Sequence, residues 1–365
     1  MVFYLIAVLF FFLSIFDLSF YKTRGVGYKY IFYCISILLA IFCGLRSEGV
    51  DRDYKGYVEI FNSIPNFTEL FSSDLSHIHG DPLFFIISSM IKSFNLDVYL
   101  LFVSFSLLSI LIYSWCFSRF SVYPFLSLFI YYCHGFITKE MTQIRAGLAS
   151  ALILLALCIL SKRKTVFGTL IITFSFLAHS SSLPAYLFIF YDKVMKDNKR
   201  ILFIIILSLI FFYLWMPLFS NLPSDFSITA QISNYMKINE FNYALTLYNP
   251  VFLRRVFYIL ILFYVRSKYE WKKSLDVFLF SYLLSICWWL IFSDMAILAA
   301  RISNALAVPE LILIPYAIRL FFLNNRPVIA SLIFILTIGM SLAMLYSNLD
   351  IQNYLNEYDT INIVS

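Results

Sequence analysis

The chain carries one long apolar run after another, and this recurrence constrains the fold more than any single residue does. An α-helix needs about 20 consecutive apolar residues to cross the hydrocarbon of a bilayer, with about 17 as a lower limit. Such runs fall near 2–21, 28–45, 98–117, 120–137, 146–161, 201–218, 251–265, 275–292, 303–320 and 327–346. Residues 165–191 are also apolar, but His179-Ser180-Ser181-Ser182 and then Pro184 interrupt them. That pattern predicts two short helices meeting at a polar apex. Residues 82–92 are too short to cross and predict a re-entrant or surface-lying helix. Counting the broken region as two gives about twelve crossings in an all-α fold, a single polytopic domain over 1–365.

Composition agrees. Hydrophobic residues make up 61% of the chain and charged residues 13%, too little charge to cover the surface of a soluble fold. The 41 Phe and 26 Tyr suit a protein in lipid, where interfacial rings have one wet and one apolar end. The net charge of +6 does not point to nucleic acid, because the basic residues sit in short loops between apolar runs. The six cysteines all lie in apolar segments with no CxxC or Cys/His cluster, and so read as small apolar side chains. No basic residue precedes the first run and no small-residue cleavage site follows it, so 2–21 reads as an uncleaved span.

Orientation follows from Lys and Arg in the loops. More than half of the 27 basic residues fall in one set of loops, around Lys22–Lys29, Arg119, Lys162–Lys164, Lys193–Arg200, Arg266–Lys273 and Arg319–Arg326. They share one side only if 165–191 crosses twice. That side is expected to be cytoplasmic, with both termini outward. The outer face then holds two loops, about 46–97 and 219–250, and a tail over 347–365.

Basic residues left on the outer side need a reason. Arg46 ends the second run, Arg145 begins the fifth, Arg254 and Arg255 lie inside the start of another, and Arg301 joins two more. Charges at such depths pair, snorkel or line a water-filled cavity. Arginine also suits bidentate recognition of phosphate, so an arginine-rich outer cavity predicts an anionic substrate. His179, at the apex of the broken region, is either a general base or a helix-terminating residue bonded to Ser180–Ser182. The segment from Gly44 to Tyr57 is the densest polar cluster, offering Arg46, Asp51, Asp53, Tyr54 and Tyr57. His77 and His79 have metal-like spacing but no evident further ligand, and no nucleotide-binding, zinc-protease or serine-hydrolase motif occurs.

In these residues the sequence resembles the EpsG-like branch of bacterial polysaccharide polymerases, which includes many O-antigen polymerases (Wzy). The shared pattern is Arg46, Gly49, Asp53-Tyr54 and Tyr57, then Asp81 ahead of Pro82-Leu83-Phe84-Phe85. It continues with Arg145-Ala-Gly-Leu-Ala149, the break Leu177-Ala178-His179-Ser180-Ser181, and Arg301 leading towards Pro309 or Pro315. Residues 40–190 match well and 295–320 loosely. The sequence departs from the pattern at Arg52, where a small residue is common, and at Ala146, where Gln is usual.

The resemblance implies a glycosyltransferase of GT-C-like architecture in the bacterial inner membrane. It would transfer a growing glycan from undecaprenyl pyrophosphate to a new lipid-linked repeat unit on the periplasmic face. No cofactor or metal is expected, and a chain-length regulator is an expected partner. On this reading Arg145, Arg301 and Arg46 bind pyrophosphate, and His179 or Asp53 is the base. Tyr54 and Tyr57 contact sugar, and Asp81, Arg254 and Arg255 complete the substrate site. A flippase of the same lipid-linked unit, which would carry an internal repeat not seen here, is one alternative. An O-antigen ligase is another, while a membrane acyltransferase would need an early His motif that is absent.

Overall fold

The computed structural model describes residues 1–19, 25–75, 78, 80–220 and 244–361. His77, His79, and the Asp225, Lys237 and Glu240 of the second expected outer loop lie outside them. Regular structure among the described residues is helical, apart from two isolated antiparallel bridges, Arg46 to Thr360 and Asp51 to Leu355.

The helices in order are α1 (Val2–Ser19), α2 (Val26–Gly44), α3 (Tyr54–Ser63), α4 (Pro82–Ser93), α5 (Tyr99–Phe120) and α6 (Pro124–Tyr131), which runs on as a π-helix over Tyr132–Thr142. Then come α7 (Ile144–Leu160), α8 (Thr165–Ala178), a 3-10 helix over Ser180–Phe190, α9 (Tyr191–Met195) and α10 (Asn198–Ser220). The last five are α11 (Pro250–Lys268), α12 (Asp276–Ile291), α13 (Ala296–Leu306), α14 (Glu310–Leu323) and α15 (Pro327–Tyr346).

Among the described residues six helical stretches are long and apolar enough to cross a membrane: Val2–Ser19, Gly27–Gly44, Tyr99–Phe120, Asn198–Trp215, Lys273–Ile291 and Pro327–Ile351. The pair α13 and α14, bent by 53° at its junction, makes a seventh if taken as one span. This is a multi-pass helical membrane protein. A helix in lipid satisfies its own backbone, and the many serines do the same with their hydroxyls. Ser14, Ser36, Ser109 and Ser114 each donate to the carbonyl four residues earlier, which lets polar side chains sit fully buried.

The structure sharpens the sequence reading at three places. The run at 120–137 is α6 followed by the π-helix, whose wider turn shifts the register of the residues beyond Tyr131. The run at 303–320 straddles the α13–α14 break, with Pro309 at the start of α14. The break in 165–191 falls at His179, whose backbone is extended. Its second half is a 3-10 helix containing Pro184, which cannot supply an amide donor.

Contacts group the helix ends into two faces. On one, Tyr4 at the start of α1 bonds Asp350, Ser47 N donates to Asp359 O at 2.9 Å and Ile361 N to Leu45 O at 3.1 Å. The expected outward termini and the 46–97 segment therefore share a face. On the other, Asp17 receives Tyr28 and the Phe125 amide, and Arg266 pairs with Asp276 at 3.0 Å and bonds Met195 O. All six cysteines are free and only Cys34 is exposed.

Candidate active site

Segment 46–97 is not an open loop. α3 is amphipathic, with Tyr54, Tyr57 and Phe61 on one face, at the spacing that lines up side chains along a helix. That face packs with Phe84 of α4, Phe102 and Phe105 of α5, and Ile144 and Leu148 of α7. Tyr54 stacks on Phe102 with centroids 4.3 Å apart, and Tyr57 lies 5.8 Å from Phe84. The two rings expected to contact sugar are thus 5% and 7% exposed, with much of their surface taken up in packing.

Arg46 is wholly buried. Its Nε donates to Asp51 at 2.6 Å, its Nη1 to the Cys43 carbonyl at 2.9 Å, and its guanidinium lies 4.7 Å over the Phe102 ring. The C-terminal tail bridges to both members of this pair. Asp51 in turn accepts from the Asp53 amide at 2.9 Å, after a turn in which Gly49 has φ +92°, a left-handed conformation that suits glycine. Arg46 thus has its charge matched inside the protein and sets the turn that presents Asp53.

Asp53 itself is half-buried. Its carboxyl is pushed above the usual range, first by burial and then by the neighbouring Asp51, while Arg52, Arg301 and Arg145 pull the other way. Two arginines from distant parts of the sequence therefore act on one carboxylate.

Arg145, at the start of α7, pairs with Asp81 at 2.9 Å, each only 13% exposed. Its guanidinium also lies 5.8 Å from the Tyr57 ring centroid and 5.6 Å from that of Phe84. The other oxygen of Asp81 accepts from the Ser180 amide at 3.3 Å, tying α4 and α7 to the break after α8. His179 Nδ1 accepts from the Ser181 amide at 3.1 Å. That bond makes His179 the helix-terminating cap, and it assigns the proton of the neutral ring to Nε2. Arg301 is exposed on α13. The fold therefore brings Asp53, Tyr57, Asp81, Arg145, His179 and Arg301 to one end of the bundle.

Arg254 and Arg255 lie elsewhere, in a buried network with residues that sequence reasoning missed. Arg254 donates to His134 Nε2 at 2.7 Å and to Glu310 at 3.3 Å. His134 Nδ1 meets Glu310 at 2.8 Å, and Tyr282 donates to the other Glu310 oxygen at 3.2 Å. Arg255 bonds Ser303 Oγ at 2.9 Å and the Asn304 side chain. His134 and Glu310 are isolated polar residues in apolar runs, which was the available signal. No cluster of three or more His, Cys, Asp or Glu side chains suited to a metal occurs among the described residues.

These features define a class: a multi-pass helical membrane protein with an arginine- and carboxylate-lined site at one end of its bundle and a second polar network within it. The sequence matches the EpsG family over residues 29–360, nearly its whole length, and the chain belongs to that family. It is also similar to the amylovoran biosynthesis protein AmsC of Erwinia amylovora, 26% identical over 190 residues, or 52% of this chain. That match spans 50% of the length of AmsC. No solved structure matches this one.

Proposed function

We propose that this protein is a polysaccharide polymerase, a metal-independent glycosyltransferase that joins undecaprenyl-pyrophosphate-linked repeat units. The observation that carries this reading is the Arg145–Asp81 pair at 2.9 Å, with Asp81 tied to the Ser180 amide and Arg145 set beside the Tyr57 ring. Transfer of a glycan breaks the bond between the anomeric carbon and pyrophosphate, and the electron pair leaves with the phosphate oxygen. Fixed cations stabilise that growing charge, and Arg145 and Arg301 supply it. The acceptor hydroxyl attacks the anomeric carbon and gives up its proton. Asp53 suits that role best, since its carboxyl lies near both cations and its basicity is raised. The tautomer set by Ser181 makes His179 Nε2 a donor, so His179 caps the break and offers a proton or a hydrogen bond. Asp81 holds Arg145, Tyr57 walls it, and Arg46 with Tyr54 shapes the turn bearing Asp53.

Membership of the EpsG family and likeness to an amylovoran biosynthesis protein support this reading. In it the site faces the periplasm, the basic loops face the cytoplasm, and α6 with its π-helix, α7, α8, the 3-10 helix and α11 add crossings to reach about twelve in a GT-C-like arrangement. A chain-length regulator is the proposed protein partner. Arg145→Ala, expressed at normal level in a polymerase-deleted strain, is expected to leave the lipid core capped with a single repeat unit on glycan gels. Full-length polymer from that variant rejects the assignment. A core with no repeat unit would indicate a flippase, and long chains held on the lipid carrier a ligase.

A further inference from the structure

The inner network holds two cations that form no salt bridge among the described residues. Arg255 is 2% exposed, and its partners, Ser303 Oγ at 2.9 Å, the Asn304 amide oxygen and the Trp289 ring at 5.3 Å, are all neutral. Its Nε has no hydrogen-bond partner among the described residues. Lys139, from the π-helix, donates to Ser150 Oγ at 2.8 Å and to the Asn304 carbonyl at 3.2 Å, again neutral groups. Neither side chain takes part in any ion pair among the described residues, and the two lie within electrostatic range of each other. Two carboxylates act on them through space, Glu140 on Lys139 and Glu310 on both, but neither lies at ion-pair distance. Glu310 serves Arg254, His134 and Tyr282, and Glu140 is turned towards Ser109 and Gly147.

Two largely buried cations held by neutral groups, with carboxylates only beyond ion-pair distance, are costly unless an anion completes their neutralisation. Asn304, which both of them contact, is exposed on α13, and so is Arg301, one helical turn earlier on the same face. Because arginine only donates, Arg255 fixes the Asn304 amide with its oxygen inward. That leaves Nδ2 of this exposed residue as a donor. Two largely buried cationic side chains that share Asn304, with its amide donor and with Arg301 one turn earlier on α13, match a group bearing two linked phosphates better than a single carboxylate.

We propose that Lys139, Arg255 and Asn304 form an anion subsite that receives the diphosphate of a prenyl-diphosphate-linked substrate, with Arg301 at its mouth. This rests on the polymerase reading for the identity of the substrate. The chemistry of the subsite itself is that of any diphosphate ester.

Binding of inorganic pyrophosphate and of farnesyl pyrophosphate to the detergent-purified protein, followed by microscale thermophoresis, tests the subsite. Both probes are expected to bind, farnesyl pyrophosphate at least as tightly. Asn304→Asp places a carboxylate between the two cations. It is expected to weaken both probes by about tenfold or more while raising the melting temperature of the ligand-free protein. Lys139→Gln is expected to weaken both by a similar factor. Wild-type affinity in Asn304→Asp and Lys139→Gln overturns the proposal. Displacement of the probes by an equal concentration of phosphatidylglycerol also overturns it, since the site would then take any lipid headgroup. The assay needs no turnover, so a protein that binds diphosphate but makes no polymer defeats the functional reading and leaves the subsite standing.

Discussion

At the scale of single residues, the site works by setting opposed demands on one carboxyl. Burial and Asp51 raise the pKa of Asp53, while Arg52, Arg301 and Arg145 hold the ionised form. As the proposed base, Asp53 must be deprotonated, so activity is expected to fall as pH drops through that raised pKa. The acid limb of a pH–rate profile should therefore lie above the ordinary aspartate value of about 3.9. Asp53→Asn is expected to lose about a hundredfold or more in rate. For stability the sign is reversed. The folded state holds the Asp53 proton more tightly than the unfolded chain, so ionisation costs stability as pH rises through the window between the two pKa values. Asp53→Asn should then be more stable than wild type at neutral pH, as melting curves would show. Gly147 makes a different demand. A Cβ there would sit 2.8 Å from a Glu140 carboxylate oxygen, and Glu140 is itself fully packed, 1% exposed. Gly147→Ala is expected to destabilise by about 1–3 kcal/mol, read as a lowered melting temperature with the proposed chemistry otherwise intact.

At the scale of elements, adjacent arginines on α11 hold both sides of the α13–α14 break. Arg255 bonds Ser303 and Asn304 before it, and Arg254 bonds Glu310 after it. Consecutive helical residues diverge by about 100°, which is why two neighbours can reach two helices lying at an angle. The break sets where α13, and with it Arg301, sits. Glu310→Ala would leave Arg254 buried without its carboxylate, both side chains being about 5% exposed. Removing one partner of such a pair is expected to cost about 3–5 kcal/mol, measured as loss of thermal stability. The break at His179 and helix α4 were legible in the sequence as a polar apex and as a short apolar segment, whereas α3 was not, since 46–97 read as an outer loop. The α13–α14 bend was not, because Pro309 after a helix reads equally well as the start of the next one.

At the scale of the whole molecule, the start of α1, segment 45–51 and the C-terminal tail meet through main-chain and side-chain bonds. Arg266, Met195 and Asp276 meet at the opposite end. Membrane-impermeant maleimide added to intact spheroplasts is therefore expected to label Lys55→Cys and Glu357→Cys, in a background with Cys34 replaced, and to spare Arg200→Cys. Labelling of all three, or of Arg200→Cys alone, would contradict the shared face or its outward orientation.

Much of this protein was determined by sequence alone. Repeated apolar runs dictate helices that satisfy their own backbones in lipid, and the loop charges dictate a sidedness, because both effects act locally and need no knowledge of neighbours. The family pattern also selected Asp53, Asp81, Arg145, His179 and Arg301, which the fold gathers at one end. Tertiary structure decided their partners. It turned Arg46 inward to Asp51, packed Tyr54 and Tyr57 against phenylalanines, and made His179 a cap. It also joined His134, Lys139 and Glu310 to Arg254 and Arg255 across helices far apart in the chain. Electrostatic pairing at membrane depth depends on distance in space, and one-dimensional order does not contain it.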